Sequence, residues 1–177
     1  MRIISGTHKG RQIKPDKNFT ARPTTDFAKE NIFNVLSNYY DIEDCRVLDL
    51  FAGTGSISYE FASRGAISVT TVELNYKHFD FIKRVVRDLK FDNIDLFKTD
   101  AFIACRKLRG KKFDIIFADP PYQLEKIDQV PDAVFENELL GEEGLLLVEH
   151  SAKTDFSAHP RFVEKRVYGC VNFSMFK

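Results

Sequence analysis

The stretch "FADPPY" (residues 117–122) ends an apolar run in a carboxylate, two prolines and an aromatic ring. Prolines cannot continue a sheet ladder, because each lacks the backbone donor and fixes its own φ. Asp119, Pro120 and Tyr122 therefore stand at the lip of a sheet, where they suit chemistry on a planar exocyclic amine. The lone pair of such an amine is delocalised into its ring and is a poor nucleophile. A carboxylate at Asp119 and a carbonyl held rigid by proline at Pro120 accept its two N–H bonds. That aims the nitrogen at an electrophile and favours the charge that develops on it. Tyr122 can stack on the base, a contact worth about 1–3 kcal/mol.

Other polar residues fall at the ends of neighbouring apolar runs. Asp49 leads "DLFAGTGS" (49–56), in which Gly53 and Gly55 let backbone approach a ligand and the next helix offers free N–H groups. A GxG alone is weak evidence, and Ser58 stands where a dinucleotide fingerprint would want its third glycine. Glu73, 18 residues after Gly55, can accept both hydroxyls of a ribose. Asp100 and the N–H of Ala101 can read an adenine edge. Each has a plain structural alternative: Asp49 and Asp100 cap helices, and Glu73 is a solvated strand end. At successive strand ends around one glycine loop they read together as a nucleoside site that needs no pyrophosphate.

The elements that must hold these groups alternate from residue 46. Strands are expected at 46–51, 67–73, 94–100, 113–119 and 144–150, with helices at 56–64, 75–89 and 101–108 between them. The helix at 75–89 is expected to turn Phe79, Ile82, Val85, Val86 and Leu89 inward. Pro131 interrupts the segment before the 144–150 strand, which predicts two short helices or a kinked one. Such alternation means a parallel sheet with helices on both faces, and ligands there bind beyond the carboxyl ends of the strands. The tail reads as two strands across a glycine turn, hence an antiparallel edge. Ahead of this, "DFAKENIFNVLSNYY" (26–40) has helical spacing, with Thr24 or Thr25 as its N-cap.

The formal charge is zero, yet it divides unevenly: residues 1–22 carry +5 and the remaining 155 residues −5. This is the footprint of an anion-binding arm on an acidic body, the plain alternative being a solvated basic terminus with no partner. The arm, with Gly6 and Gly10 among short alternating stretches, reads as a small hairpin outside the core. At 155 residues the rest, 23–177, fits one domain. No apolar run approaches the roughly 20 residues of a membrane helix. Cys45, Cys105 and Cys170 lack CxxC spacing and read as reduced, buried thiols of a cytoplasmic protein. His8, His78, His150 and His159 lack metal-ligand spacing and read as structural or surface residues, so no metal is expected.

"FAGTG", Glu73, Asp100 and "DPPY" together resemble an S-adenosylmethionine-dependent amino-methyltransferase. The whole chain resembles the RsmD-type 16S rRNA guanine-N2 methyltransferases, through "RIISG", "KGR", "RPTTD", "IFNVL" and "LLLVEH" in that order. The resemblance implies a Rossmann-like class I fold with a seven-stranded, mostly parallel sheet. It implies that Asp49, Phe51, Gly53, Gly55, Glu73, Asp100 and Ala101 line S-adenosylmethionine, and that Asp119, Pro120 and Tyr122 hold the guanine. Lys9, Arg11 and Arg22 would contact 16S rRNA or the small ribosomal subunit, and a monomer with no membrane partner is expected.

The nearest rival is an adenine-N6 or cytosine-N4 methyltransferase acting on DNA or another RNA, since the same tetrapeptide serves any exocyclic amine. Only 63 residues separate Gly55 from Asp119, and core elements use them, leaving no room there for a DNA target-recognition domain. A C5-pyrimidine enzyme would want a Pro-Cys nucleophile, which none of the three cysteines presents. A cofactor-binding scaffold would not need Asp119 and Tyr122. A dehydrogenase would be told apart by a nicotinamide cofactor in the purified protein.

Overall fold

Short runs rich in Val, Ile, Leu and Phe bury a sheet on both faces, which is what parallel strands with crossover helices require. A computed structural model describes residues 1–15, 19, 25–121, 123–169 and 171–177. The strands are β1 Arg46–Asp49, β2 Ser68–Glu73, β3 Ile94–Lys98, β4 Phe113–Ala118, β5 Leu140–His150, β6 Phe162–Tyr168 and β7 Val171–Phe176. They form one seven-stranded sheet in the order β3-β2-β1-β4-β5-β7-β6. β1 to β5 pair in parallel. The antiparallel pairing lies at one edge, where β7 inserts between β5 and β6 and runs against both. Strand order reverses between β1 and β4, which opens the crevice where ligands bind in such sheets.

Helices α1 Asp26–Leu36, α2 Ser56–Ser63 and α3 Tyr76–Asp88 cover the face that presents Val47, Val69, Ile115, Phe117, Leu147 and Phe173. Helices α4 Ala101–Lys107 and α5 Gln129–Glu136 cover the face of Leu48, Val72, Ile116 and Val148. Thr25 caps α1 by accepting from the Ala28 N–H at 3.2 Å. Pro131 neither kinks nor divides its segment. It sits in the first turn of a single helix, α5, where a missing N–H breaks no helical bond. On α3 the deeply buried aromatic is Phe81, packed beside Ile82, while Phe79 is only half-buried. Cys45 and Cys105 are free, buried thiols, pushed up by that burial to about 11 and about 12. Cys170 lies outside the described residues.

The N-terminal hairpin departs from the expectation of an arm outside the core. Arg2 and Gln12 form an antiparallel bridge, and Ile3 N–H donates to Arg11 O at 3.0 Å. Ile3 and Ile13 are buried in the same core cluster as α1 and α2. The physical reason is Glu60 of α2, itself fully buried. Its carboxylate accepts from Ile4 N at 2.8 Å, Ser5 N at 3.0 Å and Arg64 Nε at 2.9 Å, with Lys29 Nζ at 3.5 Å. Lys29, buried on α1, donates in turn to Arg2 O and to Ser56 Oγ at 3.2 Å. Burial lowers the Lys29 pKa while Glu60 opposes that shift. Farther along, Thr7 N donates to Ser63 O at 2.7 Å, and a side chain at Gly6 would collide with that carbonyl. The hairpin therefore lies along α2, its turn beside the helix C-terminus.

Candidate active site

The loop from β1 to α2 is shaped by what surrounds it. Gly53 and Gly55 take positive φ values of 55° and 78°. A Cβ on Gly55 would stand 2.5 Å from the Tyr59 ring and hydroxyl, so only glycine fits there. Gly55 also precedes the first turn of α2 with no side-chain cap, which leaves helix N–H groups for a ligand. Phe51 is half-buried and shares an apolar cleft with Leu50, Ala101, Phe102 and Val130.

Glu73, at the end of β2, organises this loop. Its Oε2 accepts from Gly53 N at 2.8 Å, and its Oε1 accepts from Asn75 N at 2.7 Å. His78 Nδ1 lies 3.8 Å from the same Oε1. A carboxylate has about four acceptor directions, so the two left over can still meet a ribose. Thr99 N donates to Glu73 O at 3.2 Å, which draws the end of β3 alongside. Asp100 there caps α4, Oδ1 accepting from Phe102 N at 2.9 Å and Ile103 N at 3.1 Å. Its other oxygen is not used by the cap, and Ala101 is buried as the first residue of the helix.

Asp49 is buried at the end of β1, and Oδ2 accepts from Ser58 Oγ at 2.6 Å, tying the strand to α2. Among the described residues its Oδ1 has no hydrogen-bond partner, and neither does the buried Tyr59 hydroxyl near it. Burial raises the Asp49 pKa to about 7, opposed by the Ser58 hydroxyl and added to by the Glu73 charge. Asp119 follows β4, half-buried, and is likewise raised to about 7 by burial and by the Asp49 charge. Pro120 is buried behind it, and Pro121 O accepts from Leu124 N at 2.8 Å as the chain turns away.

Strand order thus brings Asp49, Phe51, Gly53, Gly55, Glu73, Asp100, Ala101, Asp119 and Pro120 to one end of the sheet. Tyr122 and Arg22 lie outside the described residues. Lys9 and Arg11 are exposed on the hairpin. Lys9 belongs to its turn, where the neighbouring His8 approaches Leu89 O at 2.9 Å and Ser63 at the C-terminus of α2. From Ser56 to Ser63 is a rise of about 10 Å along the helix, so the turn that carries Lys9 lies about one helix length from the glycine loop. Sequence reasoning missed Glu149 of β5. Its neighbour is Asp119, one residue past β4, because Ala118 pairs with Val148. The only signal was its charge beside the apolar "LLLV". Among the described residues no cluster of His, Cys, Asp or Glu could hold a metal ion, and no helix is long and apolar enough to cross a membrane. An open depression of about 550 Å³ lined by residues such as Ser37, Tyr40 and Arg64 holds none of the site residues.

A family model described as "Conserved hypothetical protein 95" matches residues 1–177. The chain is 32% identical to the putative rRNA methyltransferase YlbH of Bacillus subtilis, over all of this chain and 98% of that one. It is 33% identical to ribosomal RNA small subunit methyltransferase D of Buchnera aphidicola, over 85% of this chain and 78% of the relative. Among solved structures it resembles a putative methyltransferase, yhhF, from Escherichia coli, with a TM-score of 0.86 and 27% identity over 99% of this chain and 96% of that one.

Proposed function

The chain belongs to the RsmD-type methyltransferase family, and from that premise we propose that it transfers a methyl group from S-adenosylmethionine to the exocyclic N2 amine of a guanine in 16S ribosomal RNA. The observation that carries this reading is that strand order puts Asp119, the glycine loop and Glu73 at the same end of three neighbouring strands, β4, β1 and β2. The residues present fit the cofactor. A loop turned by the positive φ of Gly53 and Gly55 ahead of an uncapped helix, an acid with spare acceptor directions, and Asp49 Oδ1, unpartnered among the described residues, suit a nucleoside bearing a cationic group. When bound, S-adenosylmethionine supplies a methyl group activated by an adjacent sulfonium.

In this reading Glu73 holds the ribose, and Asp100 with the Ala101 N–H meets the adenine. Gly53, Gly55, Phe51 and Asp49 surround the remainder. Asp119 and the Pro120 carbonyl accept the two N–H bonds of the target amine and fix its approach. Asp119 also takes the proton that N2 sheds once the new N–C bond has formed. Raised to about 7, Asp119 is in equilibrium between acceptor and acid at neutral pH, the range where general-base work is efficient. Tyr122 stacks on the base. Lys9, Arg11 and Arg22 contact RNA phosphates, which set where the base is presented but not which base is chosen.

The test is Asp119→Ala. Fold and cofactor affinity should stay close to wild type while methyl transfer to undermethylated small subunits falls by about two to four orders of magnitude. Near-normal turnover would refute the assignment. Nucleotide mapping of the methylated RNA distinguishes guanine N2 from an adenine or cytosine amine.

A further inference from the structure

Beside Asp119 the sheet carries a second acid. Glu149 follows Val148 on β5 as Asp119 follows Ala118 on β4, and those two residues are register partners. Parallel neighbours lie about 4.8 Å apart and share a face. That face is the one of Phe117, Leu147 and Phe173, the last being the partner of Glu149 on β7. Glu149 is only 6% exposed, and its Oε2 is one of three buried side-chain oxygens and nitrogens without a hydrogen-bond partner among the described residues. The other two, Asp49 Oδ1 and the Tyr59 hydroxyl, lie by the cofactor loop. A buried carboxyl oxygen that meets no donor or acceptor among the described residues is a costly arrangement. Its position points to a ligand atom as the missing partner.

Resting on the reading of Asp119 as the amine acceptor, we propose that Glu149 determines base specificity, acting as a neutral carboxylic acid that pairs with the guanine edge beside the target amine. Guanine presents N1–H next to the N2 amine and O6 beyond it. A neutral carboxyl offers one acceptor and one donor in the matching order. Adenine and cytosine place an acceptor, not a donor, on the ring atom beside their amines, so the same pairing fails for them. Leaving buried polar groups unpaired is the strongest way a site rejects a wrong substrate.

The charge state follows from the surroundings. Burial, with the Asp119 charge added, raises the Glu149 pKa, which favours its protonated form. On the sheet, Asp119 and then Asp49 share its face, and β7 contributes only the apolar Val171, Phe173 and Met175 there. Arg166 of β6, across from Phe173, is tied to Glu164 at 2.7 Å, and Lys29 of α1 is tied to Glu60. Among the described residues, burial and the neighbouring acids raise Asp119 and Glu149 with no cation opposing them.

The experiment measures methylation of undermethylated small subunits between pH 6 and 9 by wild type, Glu149→Gln and Glu149→Leu, with cofactor affinity measured alongside. Glutamine keeps a donor and an acceptor without a titrating charge. Glu149→Gln should stay within about threefold of wild type at pH 7, and should hold its rate above pH 8, where wild type declines. Glu149→Leu should lose about 10- to 100-fold in kcat/KM for RNA, with cofactor affinity unchanged. If Glu149→Gln is as impaired as Glu149→Leu, the neutral-acid pairing is wrong. If both equal wild type across the pH range, Glu149 reads nothing. Should the leucine variant fail to fold, the glutamine profile decides alone. Turnover surviving in Asp119→Ala would instead refute the underlying reading, so the two failures are distinguishable.

Discussion

Glu73→Ala is the perturbation whose size follows most directly from the geometry. The carboxylate accepts two short backbone bonds, from Gly53 N at 2.8 Å and Asn75 N at 2.7 Å. Hydrogen bonds to a charged group contribute about 1.5–3 kcal/mol each. Both N–H groups lie near the open strand ends, where water replaces part of the loss, so the variant should be about 2–4 kcal/mol less stable. Cofactor binding should suffer twice. The ribose acceptor goes, and the glycine loop loses the bond that holds Gly53 at its positive φ. A loss of about 1.4–2.8 kcal/mol, or 10- to 100-fold in affinity, is expected. Glu73→Gln sharpens the test, since an amide oxygen can keep one backbone bond while its NH₂ faces the other donor. It should fall between wild type and alanine in stability. Calorimetry with S-adenosylmethionine and urea denaturation measure the two effects separately. Unchanged affinity in a folded alanine variant would refute the ribose role, and unchanged stability would refute the loop-clamping role.

Two further outcomes are expected. RNA affinity should fall linearly with log salt, and replacing Lys9 and Arg11 together should flatten that slope by about 0.7–0.9 for each phosphate no longer neutralised, with cofactor affinity untouched; parallel slopes would make the hairpin a solvated surface. Glu60→Ala leaves the Lys29 ammonium buried without its carboxylate and frees the Ile4 and Ser5 N–H groups. It should cost about 3–5 kcal/mol and release the hairpin to limited proteolysis, measured by denaturation and by N-terminal cleavage.

Local pattern alone was enough for the alternation of strands and helices, because burial on both faces demands continuous apolar runs and amphipathic helices demand a 3.6-residue period. It was also enough to put Asp49, Glu73, Asp100 and Asp119 at strand ends, since glycines, prolines and caps end elements by their own backbone restrictions. Which ends meet is a different matter. Strand order is a property of packing, and closing a longer loop costs only slightly more than closing a shorter one. Chain distance therefore says little about β4 lying next to β1, or about Glu149 of β5 lying beside Asp119 at the end of β4. The Lys29–Glu60 pair shows the same limit. A lysine in "DFAKEN" and a glutamate in "SISYEF" look like ordinary solvent-facing charges. Only the hairpin laid along α2, with backbone N–H groups that needed an acceptor, turns them into a buried clamp.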